Sequence, residues 1–164
     1  MQLWKDDFKK KLILPDLLPQ AVLDLRKKDK TLATLNGSFD LLHAGHLQII
    51  YEASQVADIL ILALNSDDSI KRYKSKDRPI IPLEYRLQMV SALEFVDYVT
   101  WFDETDPVSL LNIIKPDVHV NGSEYGFQCL EATTVTENGG KMHICQKIDG
   151  LSTTEIIRGI SSCV

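Results

Sequence analysis

Two histidines three residues apart, His43 and His46, lie in the stretch Asn36-Gly37-Ser38-Phe39-Asp40-Leu41-Leu42-His43-Ala44-Gly45-His46. An imidazole can donate hydrogen bonds and carry positive charge near neutral pH, so the pair suits a phosphorus centre gaining negative charge. An apolar β-type run at residues 31–35 precedes the stretch, and a helical pattern through Leu47, Ile50, Tyr51 and Ser54 follows it. A strand, a glycine-bearing turn and a helix start form a phosphate cradle, because free backbone N–H groups meet the positive end of the helix dipole. The plainer alternatives are an i,i+3 pair on a solvated helix end and half of a metal site.

Other polar groups invite the same question. Residues 65–79 hold Lys71, Arg72, Lys74, Lys76 and Arg78. Read alone, this is a charged surface loop; beside a phosphate crevice it could close over a triphosphate as a lid. Lys71 and Lys74 are the candidate phosphate contacts, whereas Arg78 could simply lock the loop's exit at Pro79. Ser152 and Glu155 match a capping box at the start of a helix. Asp40 either caps its own turn or assists a metal-bound phosphate. His119 and His143 fall within apolar strands and read as core, and Trp4, Trp101 and Phe102 read as packing.

Strand and helix patterns alternate around these groups. Apolar β-rich runs at 32–35, 59–64, 98–102, 118–120 and 142–145 are separated by helical patterns at 45–56, 83–95, 107–114 and 128–138. The near-continuous run Ile59-Leu60-Ile61-Leu62-Ala63-Leu64 requires a sheet covered on both faces. Crossover helices between parallel strands then give an α/β, doubly wound, Rossmann-like sheet of five strands in the order 3-2-1-4-5. Ligands of such sheets bind outside the strand ends where the order reverses. The loops after strands 1, 4 and 5 would converge there, bringing together His43/His46, Asn121-Gly122-Ser123-Glu124-Tyr125 and Gly150-Leu151-Ser152-Thr153-Thr154.

The chain has 164 residues, 45% of them apolar and 25% charged, which suits one domain with a real core. Its net charge of −5 argues against nucleic acid or an acidic membrane as a partner. Cys129, Cys145 and Cys163 are too few and scattered for a disulfide framework and fit a reducing cytoplasm. No signal peptide or membrane-length apolar run is evident. Residues 1–30 read as an N-terminal helical extension before a domain over 31–164, with a helix through Ala21, Val22 and Leu25 covering the edge or back of that domain; a linker or partner contact is the alternative. Lys9-Lys10-Lys11 reads as solvated surface.

At His43-Ala44-Gly45-His46 the chain resembles the nucleotidyltransferases that carry the His-x-Gly-His signature, the cytidylyltransferase-like family. Within it the chain is most similar to the subgroup of heptose-1-phosphate adenylyltransferases and glycerol-3-phosphate cytidylyltransferases. The likeness runs from about Thr31 to Ile160 and includes Asn65-Ser66-Asp67, Lys71-Arg72, Lys74, Arg78-Pro79 and Ser152-Thr153-Thr154. The resemblance implies attack of an acceptor phosphate on a nucleoside triphosphate, with release of pyrophosphate. His43, His46 and Lys74 would be catalytic. Asn36, Gly37, Ser38, Phe39, Gly45, Lys71, Arg86, Ser152, Thr153 and Thr154 would bind nucleotide and phosphate, although Arg86 could instead pair with an acid on its helix face. Asn121, Gly122, Ser123, Glu124 and Tyr125 would form the acceptor or nucleoside loop, and Lys147 stands where cytidylyltransferases place an arginine.

Mg²⁺ bridging the phosphates is expected, with no dedicated protein metal site. The substrates implied are ATP with a sugar 1-phosphate such as D-glycero-D-manno-heptose 1-phosphate, which is ADP-heptose and lipopolysaccharide chemistry. CTP with glycerol 3-phosphate or another polyol phosphate, and a non-catalytic nucleotide-binding module, are the alternatives. A homodimer is common in the family, and a separate sugar kinase would supply the acceptor. The chain departs from the heptose pattern at Asn121, where the subgroup has lysine, and at Glu124, where it has aspartate.

Overall fold

The computed structural model describes residues 3–123, 126, 129–146 and 151–163. Five strands, β1 (Leu32–Gly37), β2 (Ile59–Asn65), β3 (Tyr98–Phe102), β4 (Val118–Gly122) and β5 (Lys141–Cys145), form one sheet. Their order is β3-β2-β1-β4-β5, and every neighbouring pair is parallel. The order expected from the alternating pattern is therefore the one found. The helices among the described residues are α1 (Trp4–Asp7), α2 (Leu18–Arg26), α3 (Ala44–Ser54), α4 (Asp67–Tyr73), α5 (Leu83–Ser91), α6 (Val108–Ile114), α7 (Leu130–Glu137) and α8 (Thr153–Ser161).

Because strand side chains alternate in direction, each strand feeds two cores. Ala33, Leu35, Leu60, Leu62 and Leu64 pack with Ile50 and Ala53 of α3 and Leu87 and Val90 of α5. Leu32, Ile61, Ala63 and Phe102 pack on the opposite face with Leu18, Val22 and Leu25 of α2 and Leu110 and Ile114 of α6. Two covered faces explain why β2 is apolar at every position from Ile59 to Leu64. Each fully buried aliphatic side chain of this kind is worth about 1.5–3 kcal/mol relative to exposure.

The segment before β1 takes part in this packing through Phe8, Ile13, Leu18, Val22 and Leu25. Ile13 N–H donates to Val99 O and Val99 N–H to Lys11 O, both at 2.8 Å, beside the edge strand β3. Lys11, expected at a solvated surface, donates through Nζ to Leu93 O at 2.9 Å. A second difference lies at 65–79, where the expected charged loop contains α4. Ser66 Oγ caps that helix by accepting from Ser69 N–H at 3.0 Å. The pattern at 128–138 contracts to α7, which stops before Gly139 at φ 85°. Among the described residues no helix is long and apolar enough to cross a membrane.

Candidate active site

After β1 the chain turns through Phe39 and Leu41, two non-glycine residues at positive φ (47° and 49°). Side chains in that region are strained and must be held. Asp40, fully buried, provides the hold: its carboxylate accepts from Arg78 Nε, Ile80 N–H and Ile81 N–H, each at 2.9 Å. Asp40 is thus a structural anchor of its turn. Arg86 lies beneath the same loop with no exposed surface. Its guanidinium donates to Ser38 O at 2.5 Å, Asn65 O at 2.9 Å, Ile81 O at 2.9 Å and Asp67 Oδ1 at 2.7 Å. The structure therefore places Arg86 as a strut joining β1, β2 and α5, away from the crevice surface where phosphate contact was expected.

His43 is the N-cap of α3, and its Nδ1 accepts from Gly45 N–H at 3.1 Å. That bond leaves the ring proton on Nε2, so His43 presents a donor. A Cβ at position 45 would lie 3.0 Å from His43 Cε1 and 3.1 Å from Nδ1, so any larger residue than Gly45 would press the ring aside by a few tenths of an ångström. His46 stacks on His43 with ring centroids 3.9 Å apart, and Phe39 meets His46 edge-on at 5.5 Å. Burial lowers the His43 pKa. Burial, aided by His43 and Lys74, lowers that of His46 to about 4. His46 is consequently neutral at pH 7, so of the two roles open to an imidazole, hydrogen-bond donation and positive charge, it keeps the first.

A crevice of about 760 Å³ opens at the ends of β1 and β4. The β1–α3 segment contributes Asn36, Gly37, Ser38, Phe39, His43, Gly45 and His46 to its lining. Lys74 reaches it from the end of α4, its Nζ 2.9 Å from Ser38 Oγ. Burial, with Arg78 nearby, lowers the Lys74 pKa. Asn121 and Gly122 line the far wall, and Asn121 Nδ2 is directed at Cys129 Sγ, 3.4 Å away. Ser152, Thr153 and Thr154 bring the N-terminus of α8 to the same crevice. Ser152 Oγ caps it, accepting from Glu155 N–H at 3.2 Å, and Thr153 Oγ1 donates to Asp40 O at 2.9 Å. Asn36 Oδ1 and His46 Nδ1 are buried without a partner among the described residues.

Two expected members stand apart. Lys71 pairs with Asp68 at 3.0 Å on the exposed side of α4 and does not line the crevice. Ser123 is an exposed turn residue whose N–H bonds to Cys145 O. Glu124, Tyr125 and Lys147 lie outside the described residues. Sequence reasoning missed Thr105, Asp106 and Pro107 of the β3–α6 loop, Glu131 of α7, and Cys145 and Gln146 at the end of β5. Their signal was position after a parallel strand, on the side where ligands bind. Asp106 and Glu131 are the carboxylates that line the described crevice, and Asp106 Oδ1 already accepts from Val108 N–H at 3.0 Å. So sparse an acidic set fits Mg²⁺ held chiefly by substrate phosphates and not by a protein cage.

The fold is thus a doubly wound α/β sheet with a polar crevice where its strand order reverses. A cytidylyltransferase-like family model matches residues 34–162, and the chain belongs to that family. It is 37% identical over 155 residues to "Bifunctional protein HldE" of Syntrophotalea carbinolica, covering 94% of this chain and 32% of that protein. The protein of the same name from Citrobacter koseri is 42% identical over 144 residues, covering 87% and 30%. The chain thus spans about a third of the length of these curated relatives. Among solved structures, the lipopolysaccharide core biosynthesis protein from Thermoplasma volcanium GSS1 superposes with a TM-score of 0.59 at 27% identity, covering 73% of this chain and 97% of that one. Pantoate-beta-alanine ligase from Francisella tularensis shares the fold, with a TM-score of 0.59 at 16% identity over 92% of this chain and 77% of that one.

Proposed function

We propose that the chain transfers a nucleoside monophosphate from a nucleoside triphosphate to a phosphorylated acceptor, and that the pair used is ATP with a sugar 1-phosphate such as D-glycero-D-manno-heptose 1-phosphate. An acceptor phosphate oxygen attacks the α-phosphorus in line, the bond to the bridging α–β oxygen breaks, and pyrophosphate departs with that electron pair. No proton transfer to a leaving carbon group is needed, so positioning and charge stabilisation carry the step. The observation that bears most weight is the stacked imidazole pair at the start of α3, with the His43 proton directed to Nε2. His43 and His46 would donate to the non-bridging α-phosphoryl oxygens, with Lys74 beside them. Ser152, Thr153, Thr154 and the α8 N-terminus would hold the departing pyrophosphate. Mg²⁺, when bound, supplies charge neutralisation on the phosphates, and Asp106 and Glu131 are the residues that would hold it.

The choice of ATP and a sugar phosphate is supported by the motif order at 65–79, and its sugar side by the likeness to a lipopolysaccharide core biosynthesis protein. A separate sugar kinase in the cytoplasm would supply such an acceptor. A second reading, CTP with glycerol 3-phosphate, is favoured by one observation: Asn121 puts a neutral amide, 4% exposed, where the heptose subgroup has lysine. A grid of nucleoside triphosphates against phosphorylated acceptors, scored for pyrophosphate, decides. The highest kcat/KM with ATP and heptose 1-phosphate is expected. The highest value with CTP and glycerol 3-phosphate establishes the second reading, and nucleotide binding without pyrophosphate from any pair overturns both.

A further inference from the structure

We propose that Glu52, His143 and Cys145 form a binding site for a thiophilic divalent cation of the Zn²⁺ type, between α3 and β5. The donor atoms of these three side chains all lie within 4.8 Å of one another. His143 and Cys145 are two apart on β5 and so share one face of the strand. Glu52 reaches that face from α3. The backbone beneath is fixed, with His143 in register with Val120, Cys145 in register with Gly122, and Cys145 O accepting from Ser123 N–H at 2.9 Å. The carboxylate is held as well, since Gln48 Nε2 donates to Glu52 Oε1 at 3.1 Å. Such an outer hydrogen bond orients ligands in metal sites.

The donor chemistry selects the ion. Thiolate, imidazole and carboxylate are a Zn²⁺ set, whereas Mg²⁺ and Ca²⁺ take oxygen alone. A thiolate, a carboxylate and a neutral imidazole carry two negative charges, which a divalent cation cancels. Tetrahedral bonds of about 2.0–2.3 Å draw such donors to about 3.3–3.8 Å of one another, so closure needs side-chain shifts of roughly 1 Å. Cys145 is 1% exposed, while His143 and Glu52 are half-buried and leave an approach from solvent. Without the cation, burial and the neighbouring Glu52 push the Cys145 thiol up to about 12. Binding therefore releases the thiol proton to solvent as the sulfur–metal bond forms. The cation would pin α3 to β5, the elements that carry His46 and the Cys145–Gln146 wall of the crevice.

The test uses chelator-treated full chain titrated with Co²⁺ and then Zn²⁺. One Co²⁺ per chain is expected, with a thiolate-to-cobalt charge-transfer absorption that Zn²⁺ abolishes, and Zn²⁺ should raise Tm. Cys145→Ser should remove the absorption and weaken Zn²⁺ binding at least about 100-fold, and His143→Gln at least about tenfold. Cys163→Ser, on the exposed C-terminal segment, should change neither. Absence of the absorption, or its survival in Cys145→Ser, overturns the site. Should Cys145→Ser fail to fold, His143→Gln decides: unchanged affinity overturns the proposal, and weakened affinity sustains it. None of these readouts depends on nucleotidyl transfer, so either reading can fail without the other.

Discussion

A stacked histidine pair in a partly buried turn is a poor cation and a good donor. His43 spends Nδ1 on the Gly45 amide, and desolvation holds His46 neutral. Losing one such donor to a developing oxyanion typically costs about 10²–10³ in rate. His43→Ala and His46→Ala are therefore each expected to lower kcat for pyrophosphate release by at least about 100-fold with unchanged circular dichroism. Near-normal turnover in both variants would refute the assignment. Arg86 and Lys71 should separate just as sharply, by stability. Removing a buried guanidinium that satisfies three carbonyls and Asp67 costs about 3–5 kcal/mol, whereas an exposed substitution shifts stability by about 0.5 kcal/mol or less. Urea denaturation should show the large loss for Arg86→Ala, with Lys71→Ala near wild type in both stability and kcat/KM.

At the scale of elements, the crevice depends on a tether between distant parts of the chain. Thr153 Oγ1 bonds Asp40 O, so the first residue of α8 is tied to the same strained turn that carries the histidines. Asp40 in turn is held by Arg78 and the backbone before α5. Thr153→Val keeps the shape and deletes the donor. It is expected to raise the KM for the nucleoside triphosphate several-fold, by about the 0.5–1.5 kcal/mol of one hydrogen bond, without reordering acceptor preference. Thr153→Ser should restore most of the loss. Equal kinetics for Val and Ser, measured with two acceptors, would show that the tether has no part in positioning α8.

Across the whole molecule, buried histidines make stability depend on pH. His119 has no exposed surface and bonds Thr34 Oγ1 through Nδ1 at 2.7 Å, and burial lowers its pKa to about 4. Unfolding restores a value near 6.5, so between about pH 6.5 and 4 the unfolded chain binds a proton that the folded chain refuses. Stability therefore rises with pH, is fully present above about 6.5, and falls as the pH drops toward 4. For His119 the loss across that window is on the order of 3 kcal/mol. His119→Asn is expected to be less stable at pH 7 but to show a shallower fall of the urea midpoint between pH 7 and 4.5. Parallel pH profiles for wild type and variant would remove His119 from this account.

The elements and the histidine-bearing turn were legible in the sequence, because both are encoded among neighbours in the chain. Alternating apolar runs and helical spacing specified a parallel sheet, Ser152 and Glu155 specified a helix start, and His43-Ala44-Gly45-His46 stood between a strand and a helix. Which polar groups face the crevice was settled by the packed fold. It set Lys74 against Ser38 and turned Lys71 toward Asp68, though both belong to one charged stretch. It buried Arg86 under the loop, and it chose the face of β1 and β2 that α2 covers, where local pattern left the edge or the back of the sheet open. It also added Asp106 and Glu131 to the crevice and held His46 neutral. Desolvation and hydrogen-bond partners come from residues far away in the chain, as Asp40 and Thr153 are, 113 positions apart and 2.9 Å from oxygen to oxygen.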